Sequence, residues 1–154
     1  MSGVVTVLLR GVIALGVFGL LAVQVVLMPL AWRDLSGEDP FVQWTVPVLG
    51  AAFAASLQVV GVCVWRLLTF VRRDAVFSER SFRYVDVVIG AVLFASALVL
   101  CFAVLLAPGA AAPGLVALVC GAALVLAGVA LVVGVMRALL RQAVTMRTEL
   151  EQVI

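Results

Sequence analysis

The chain has 154 residues, of which 66% are hydrophobic and only 12% are charged, and its mean hydropathy is +1.34. Soluble domains are about half apolar and about a quarter charged, and so small a domain cannot hide this much apolar surface from water. All ten basic residues are Arg, and there is no His. The composition therefore predicts an integral membrane protein, and it excludes imidazole ligation of haem, zinc or copper.

An enzymatic activity is not expected. The phosphate-binding loop Gly-x-x-x-x-Gly-Lys needs a Lys, which the chain lacks, and no candidate nucleophile has a matching base nearby in the sequence. We therefore predict neither a catalytic residue nor a cofactor nor a metal ion.

Four apolar runs are each close to the roughly 20 residues that cross a bilayer as a helix. They cover residues 11–30, 45–68, 85–106 and 114–136. In lipid every backbone polar group must be paired within the protein, which makes each run a helix in spite of its many Val residues. The sequence thus predicts an all-α fold, a four-helix membrane bundle forming a single domain over residues 1–154.

The connections between these runs differ in charge. The first is polar and is flanked by Trp32 and Trp44, which are suited to anchor at the headgroup level. The third is uncharged. Nine of the ten arginines lie in the N-terminal segment, in or beside the second connection (residues 71–83) and in the tail (residues 137–154). By the positive-inside rule both termini are expected in the cytoplasm, across the inner membrane of a bacterium.

The tail has a heptad pattern. Its apolar residues are spaced by four, three, four and three positions, a spacing typical of a coiled-coil seam, and the pattern extends back into the fourth run: Val132, Met136, Leu139, Ala143, Met146, Leu150 and Val153. We therefore expect the fourth helix to continue into the cytoplasm as one rod, extending about 27 Å beyond the span. The rod would either lie on the membrane or dock a partner.

Small residues on the fourth run mark a helix interface, because close backbone approach drives association in lipid. Gly114, Gly121 and Gly128 recur every seven residues. The interpretation we prefer is packing inside the bundle. The alternative is a homo-oligomer that pairs through this glycine face.

Few polar side chains lie within the runs. Gln24 and Gln58 are expected to bond to each other across two helices. Asp86 lies about two turns into the third helix, and the expected ion-pair partner is Arg83 three residues before it, or Arg66 or Arg137 on a neighbouring helix. Cys63, Cys101 and Cys120 lie in apolar runs without a Cys-x-x-Cys motif, so packing is favoured over a redox role.

Two segments carry a family resemblance. The first is Asp-Ala-Val-Phe-Ser-Glu-Arg-Ser-Phe-Arg-Tyr-Val-Asp-Val-Val-Ile-Gly, with Ser78 as the expected cap of the third helix. The second is the ending Leu-Leu-Arg-Gln-Ala-Val-Thr-Met-Arg-Thr-Glu-Leu-Glu-Gln-Val-Ile. Both resemble a bacterial family of small four-helix membrane proteins, domain of unknown function 2975. Members are often encoded beside a small helix-turn-helix transcription factor. The resemblance implies a membrane protein that binds or restrains a cytoplasmic regulator.

We therefore expect a scaffold or regulatory protein whose basic loop and tail bind a soluble partner, without direct binding of nucleic acid. The residues expected to bind it are Arg72, Arg73, Phe77, Ser78, Arg80, Arg83, Arg141, Arg147, Glu149, Leu150 and Val153. The alternative is a small transporter or channel, as a single chain or an oligomer, built around Gln24, Gln58 and Asp86. A thiol or quinone redox helper is a third candidate.

Overall fold

The computed structural model describes residues 3–37, 39–71, 79–109 and 111–153. Over these ranges all regular secondary structure is helical. Four helical stretches are long and apolar enough to cross a membrane: Val4–Asp34, Pro40–Phe70, Phe82–Leu106 and Pro113–Leu150. The chain is therefore a multi-pass membrane protein with four candidate spans, as the apolar runs predict.

The first span changes its helical pitch near its end. It consists of α1 (Gly3–Ala22), a π-helical segment (Val23–Leu27) and α2 (Met28–Asp34). The backbone stays in the right-handed helical region through this change, and the Met28 N–H bonds to the Val23 carbonyl. Pro29, which has no N–H to donate, follows at once and interrupts the ordinary ladder. The three pieces thus form one continuous rod with a single widened turn.

The other three spans are single helices. They are α3 (Pro40–Val71), α4 (Glu79–Leu106) and α5 (Pro113–Val153). Both α3 and α5 begin with Pro, whose fixed φ and missing N–H suit the first turn of a helix. The start of α4 agrees with the position expected from the sequence, although its expected cap, Ser78, lies outside the described residues.

Helix α5 is much longer than a membrane is thick. Its 41 residues extend about 60 Å, whereas the hydrocarbon core of a bilayer is about 30 Å thick. The helix therefore continues well beyond the span without a break. The prediction of a fourth helix that extends as one rod is confirmed.

The helices pack in chain order. α3 packs against α4, and α4 against α5, while α1 and α2 pack against α3. In the described part of the chain, α1 makes no close backbone contact with α4 or α5. The predicted four-helix bundle is corrected in this respect, since it is an open row and not a closed ring. An edge position costs a lipid-facing helix little, because lipid tails solvate its apolar side chains as well as another helix does.

Small residues form the contacts between helices. The buried hydrophobic residues are mostly alanines, with one Cys and one Leu: Ala54, Cys63, Leu68, Ala95, Ala103, Ala123 and Ala130. Two glycines of α3 lie closest to the first span. A Cβ built on Gly61 would lie 3.1 Å from the Val17 side chain, and one on Gly50 would lie 2.7 Å from the flexible end of Met28.

The glycine face of α5 does not pack inside the protein. A Cβ built on Gly114, Gly121 or Gly128 would meet nothing within 4 Å. The contact with α4 is made instead by Ala123 and Ala130, which follow two of these glycines by two residues. Two residues turn a helix by about 200°, so the glycines lie on the far side. The prediction that they pack within the bundle is wrong.

Replacing Gly61 by Leu tests the contact between α1 and α3. The added side chain has no room beside the β-branched Val17, so we expect the free energy of unfolding to fall by about 1–3 kcal/mol, the usual cost of overpacking. Gly16→Leu is the matched control, because Gly16 has open space around it. The free energy of unfolding of both variants is measured by titration with SDS in detergent micelles. Equal losses from the two variants would contradict the packing described.

Candidate functional site

The polar side chains gather at one end of the molecule, where α1 begins, α3 ends, α4 begins and α5 leaves the span. We call this the arginine-rich end. Here an Arg10 Nη donates to Thr69 Oγ1 at 3.1 Å, and the Arg10 guanidinium lies 5.6 Å from the centre of the Trp65 ring. This hydrogen bond and cation–π contact fix the start of α1 against the end of α3.

An ion pair joins α4 to α5 at the same end. An Arg137 Nη lies 2.5 Å from the Asp86 carboxylate. The two side chains are 23% and 50% exposed respectively, so the pair lies at the edge of the packed region. Of the three arginines that the sequence leaves open for Asp86, which are Arg66, Arg83 and Arg137, the structure pairs it with Arg137.

A cleft opens next to this ion pair, between α4 and α5, and we call it the basic cleft. It has a volume of about 480 Å³ and is lined by Phe82, Arg83, Asp86, Arg137, Arg141, Val144 and Thr145. Three arginines against one carboxylate leave it a formal charge of +2. Both helices line the cleft. On α5, residues 137, 141 and 144 contribute together because they share one face of the helix.

A second recess adjoins the basic cleft between α3 and α4. It is about 440 Å³ in volume and is lined by Arg66, Phe70, Arg83, Tyr84 and Val87. Phe70 and Tyr84 pack against each other with ring centres 5.7 Å apart. Because Arg83 lines both recesses, positive charge extends across three helices.

The structure brings together only some of the residues that the sequence predicts for partner binding. Arg83 and Arg141 line the basic cleft, whereas Glu149 and Leu150 are exposed further along α5, with Arg147 between the two groups. Arg72, Arg73, Phe77 and Ser78 lie outside the described residues, and only the backbone is described for Arg80 and Val153.

Sequence reasoning missed three residues of the cleft, Phe82, Val144 and Thr145, and gave Arg137 only to the ion pair. A signal was available in the sequence. Arg137, Arg141 and Val144 are spaced by four and three residues, which places them on one helical face.

The polar groups within the spans satisfy one another. Gln58 Nε2 donates to Gln24 Oε1 at 2.9 Å, and Gln24 Nε2 donates to the Ala51 carbonyl at 3.0 Å. The predicted bond between the two glutamines is therefore present. Gln24 lies in the π-helical segment. Between α4 and α5, the Ser96 hydroxyl donates to the Ala123 carbonyl at 2.7 Å.

The opposite end of the molecule carries two exposed tryptophans and an apolar cavity. Trp32 and Trp44 lie with ring centres 5.6 Å apart, and both are exposed, as membrane-interface anchors are. A nearby cavity of about 490 Å³ is lined by apolar residues of α2, α3, α4 and α5, among them Met28, Phe53, Phe102 and Leu118.

Among the described residues, no three His, Cys, Asp or Glu side chains come close enough to hold a metal ion. The three cysteines are free. Cys63 is buried and Cys101 is exposed, as expected for residues that serve packing or face lipid.

Comparison with known proteins gives one match. A family model described as "Protein of unknown function (DUF2975)" matches residues 30–154, which include both segments that carry the resemblance. No curated protein matches the chain, and no solved structure matches it.

A double-mutant cycle on Asp86→Asn and Arg137→Gln tests the ion pair. Because Asp86 is half exposed, we expect a coupling of about 0.2–1 kcal/mol in the free energy of unfolding, the range of exposed pairs. The control cycle combines Asp86→Asn with Arg141→Gln, which lines the same cleft, and should give a smaller coupling. A larger coupling in the control would contradict the assignment of Arg137 as the partner.

Proposed function

We propose, since the chain belongs to the DUF2975 family of proteins of unknown function, that it is a non-enzymatic membrane scaffold or regulator that docks a soluble partner at its arginine-rich end. The observation that carries the proposal is the basic cleft. It combines three arginines with the apolar side chains of Phe82 and Val144. Charged groups around an apolar centre are typical of protein-binding surfaces.

The proposal includes an orientation. The arginine-rich end would face the cytoplasm across a bacterial inner membrane, with both chain termini on that side. Arg10, Arg66, Arg83 and Arg137 lie at or near this end in the structure, whereas the opposite end carries Arg33 close to Asp34 and Asp39. This asymmetry is the one that the positive-inside rule associates with cytoplasmic segments.

The partner's chemistry follows from the charge of the cleft. A surface of net positive charge favours a protein with an acidic patch, and such binding weakens as salt rises. The helix-turn-helix regulator that the family resemblance implies is the first candidate. The extended part of α5 would offer that partner a second contact beside the cleft, through Glu149 and neighbouring residues.

The competing proposal is a transporter or channel built on Gln24, Gln58 and Asp86. These groups are occupied by one another and by their neighbours, since Gln58 bonds Gln24 and Asp86 pairs with Arg137. The cavity of about 490 Å³ next to α2, α3, α4 and α5 is lined almost entirely by apolar groups. These observations support packing over transport, and a flux into liposomes that Asp86→Asn abolishes would reverse that preference.

Charge reversal in the cleft tests the docking proposal. The membrane protein is co-expressed with a helix-turn-helix regulator of the kind that the family resemblance implies, and binding of the purified regulator to membrane vesicles is measured. We expect Arg83→Glu with Arg141→Glu to weaken binding by roughly tenfold or more, about 1.4 kcal/mol, because two attractive charges become repulsive.

The matched control is Arg33→Glu at the opposite end, which should leave binding unchanged. Binding that is equally weakened by the control, or unaffected by the cleft variant and by salt, would contradict docking at the arginine-rich end.

A further inference from the structure

Helix α5 carries a continuous apolar seam along its whole length. The positions are spaced alternately by three and four residues, and all twelve are apolar: Leu115, Leu118, Ala122, Val125, Val129, Val132, Met136, Leu139, Ala143, Met146, Leu150 and Val153. In the extension, where polar residues separate these positions, the spacing is a heptad repeat, and the span is apolar throughout, including at the same register. We call these twelve positions the α5 seam.

Most of the α5 seam points away from the other helices, while Leu118 and Ala122 border the apolar cavity next to α2, α3 and α4. The side of α5 that contacts α4 carries Ala123, Ala130 and Arg137, which recur every seven residues and lie about 130° around the helix from the centre of the seam. Seam side chains are accordingly open. Leu118 is 71% exposed, Met146 62% and Leu150 68%.

Lipid can solvate the part of the seam that lies within the span, but not the part beyond it. The extension of α5 carries five charged residues, Arg137, Arg141, Arg147, Glu149 and Glu151, and is a segment for water. Apolar surface left in water costs about 25 cal/mol per Å². Leu139, Met146 and Leu150 therefore gain from being covered.

We propose that a second copy of this chain covers the seam, and that the two α5 helices form a parallel, in-register coiled coil from the membrane into the solvent. Two copies inserted in the same orientation can only bring their α5 helices together in parallel. A two-fold axis along the membrane normal then places each seam residue opposite its own copy. A left-handed coiled coil requires the heptad spacing that the seam has.

The charges fit this pairing. In such a dimer a charged seam residue would face itself, and none of the five charged residues of the extension occupies a seam position. With Met136, Ala143 and Leu150 at position a, Arg147 falls at position e, and Gln142 and Glu149 fall at position g. In a parallel pair, e of one helix faces g of the other. Arg147 then faces Gln142, the g residue five positions before it on the partner helix, and like charges do not meet.

The glycines that do not pack within the protein fit the same pairing. Gly114, Gly121 and Gly128 have open space around them and lie directly beside the seam in the span. Small residues beside a helix–helix contact permit close approach of the backbones in lipid. The pairing does not depend on the docking function. It leaves the basic cleft open in both copies, and it takes Glu149 and Leu150 into the dimer contact in place of the second contact with a docked partner.

Disulfide cross-linking in membranes tests the dimer. In a background with Cys63, Cys101 and Cys120 changed to Ala, single cysteines are introduced at the seam (Leu139→Cys and Met146→Cys) and at a non-seam position (Thr148→Cys). Copies with two different tags are co-expressed and the vesicles are oxidised. We expect several-fold more dimer from the seam cysteines than from Thr148→Cys. A yield that is equal at all three positions, or absent at the seam, would overturn the proposal.

A second measurement keeps the three natural cysteines and does not use the cysteine variants. The wild-type chain is labelled with a fluorophore at its terminus and diluted into liposomes, and photobleaching steps are counted. We expect two steps to persist on dilution, and Met146→Glu with Leu150→Glu to convert them to one step, whereas Thr148→Glu keeps two. Single-step bleaching of the wild type in dilute liposomes would overturn the proposal, as would two steps in the double variant.

Discussion

The contact between α4 and α5 is the interaction on which the rest of the structure depends. It is made by the small side chains of Ala123 and Ala130, with a hydrogen bond from Ser96 to the Ala123 carbonyl and the ion pair of Asp86 with Arg137 at its end. Together these contacts set the rotation of α5 about its own axis. Because of that rotation, Arg137 and Arg141 close the basic cleft, and the α5 seam faces outward. A different rotation would bury the seam and disperse the arginines.

Because lipid is the solvent, the contacts between helices are made by small and polar side chains. Association of helices in a bilayer gains little from burying large apolar side chains, since lipid solvates them equally well, and relies on close packing and on polar bonds. Alanine, glycine and serine therefore line the contacts, and Gln24 and Gln58 bond each other across α3 and the first span. The same reasoning explains how α1 can remain at the edge of the row with most of its side chains exposed.

The sequence predicts the spans, the continuity of α5 and the bond between Gln24 and Gln58, because charge, length and the cost of unpaired polar groups determine them. It does not predict which face of each span packs. In a helix that is apolar all round, periodicity does not tell which side of the helix faces its neighbours. The sequence therefore places the glycines of α5 on the wrong side. The pattern becomes informative only in the extension, where water distinguishes Leu139 and Met146 from their polar neighbours. The only local sign of the π-helical segment in the sequence is Pro29. The four apolar runs are equally compatible with a closed ring of helices and with the open row that the structure has.

The central claim is that α5 is a single rod that pairs along its length with a second copy and holds the basic cleft on its other side. Pulsed electron paramagnetic resonance between two spin-labelled copies tests it most directly. Labels at Leu124, Ala138 and Thr145, which are exposed and recur on one side of α5, should give the same intermolecular distance at all three positions, since parallel paired helices keep a constant separation of about 8–10 Å between axes. Distances that increase from Leu124 to Thr145, or the absence of any intermolecular signal, would contradict the account.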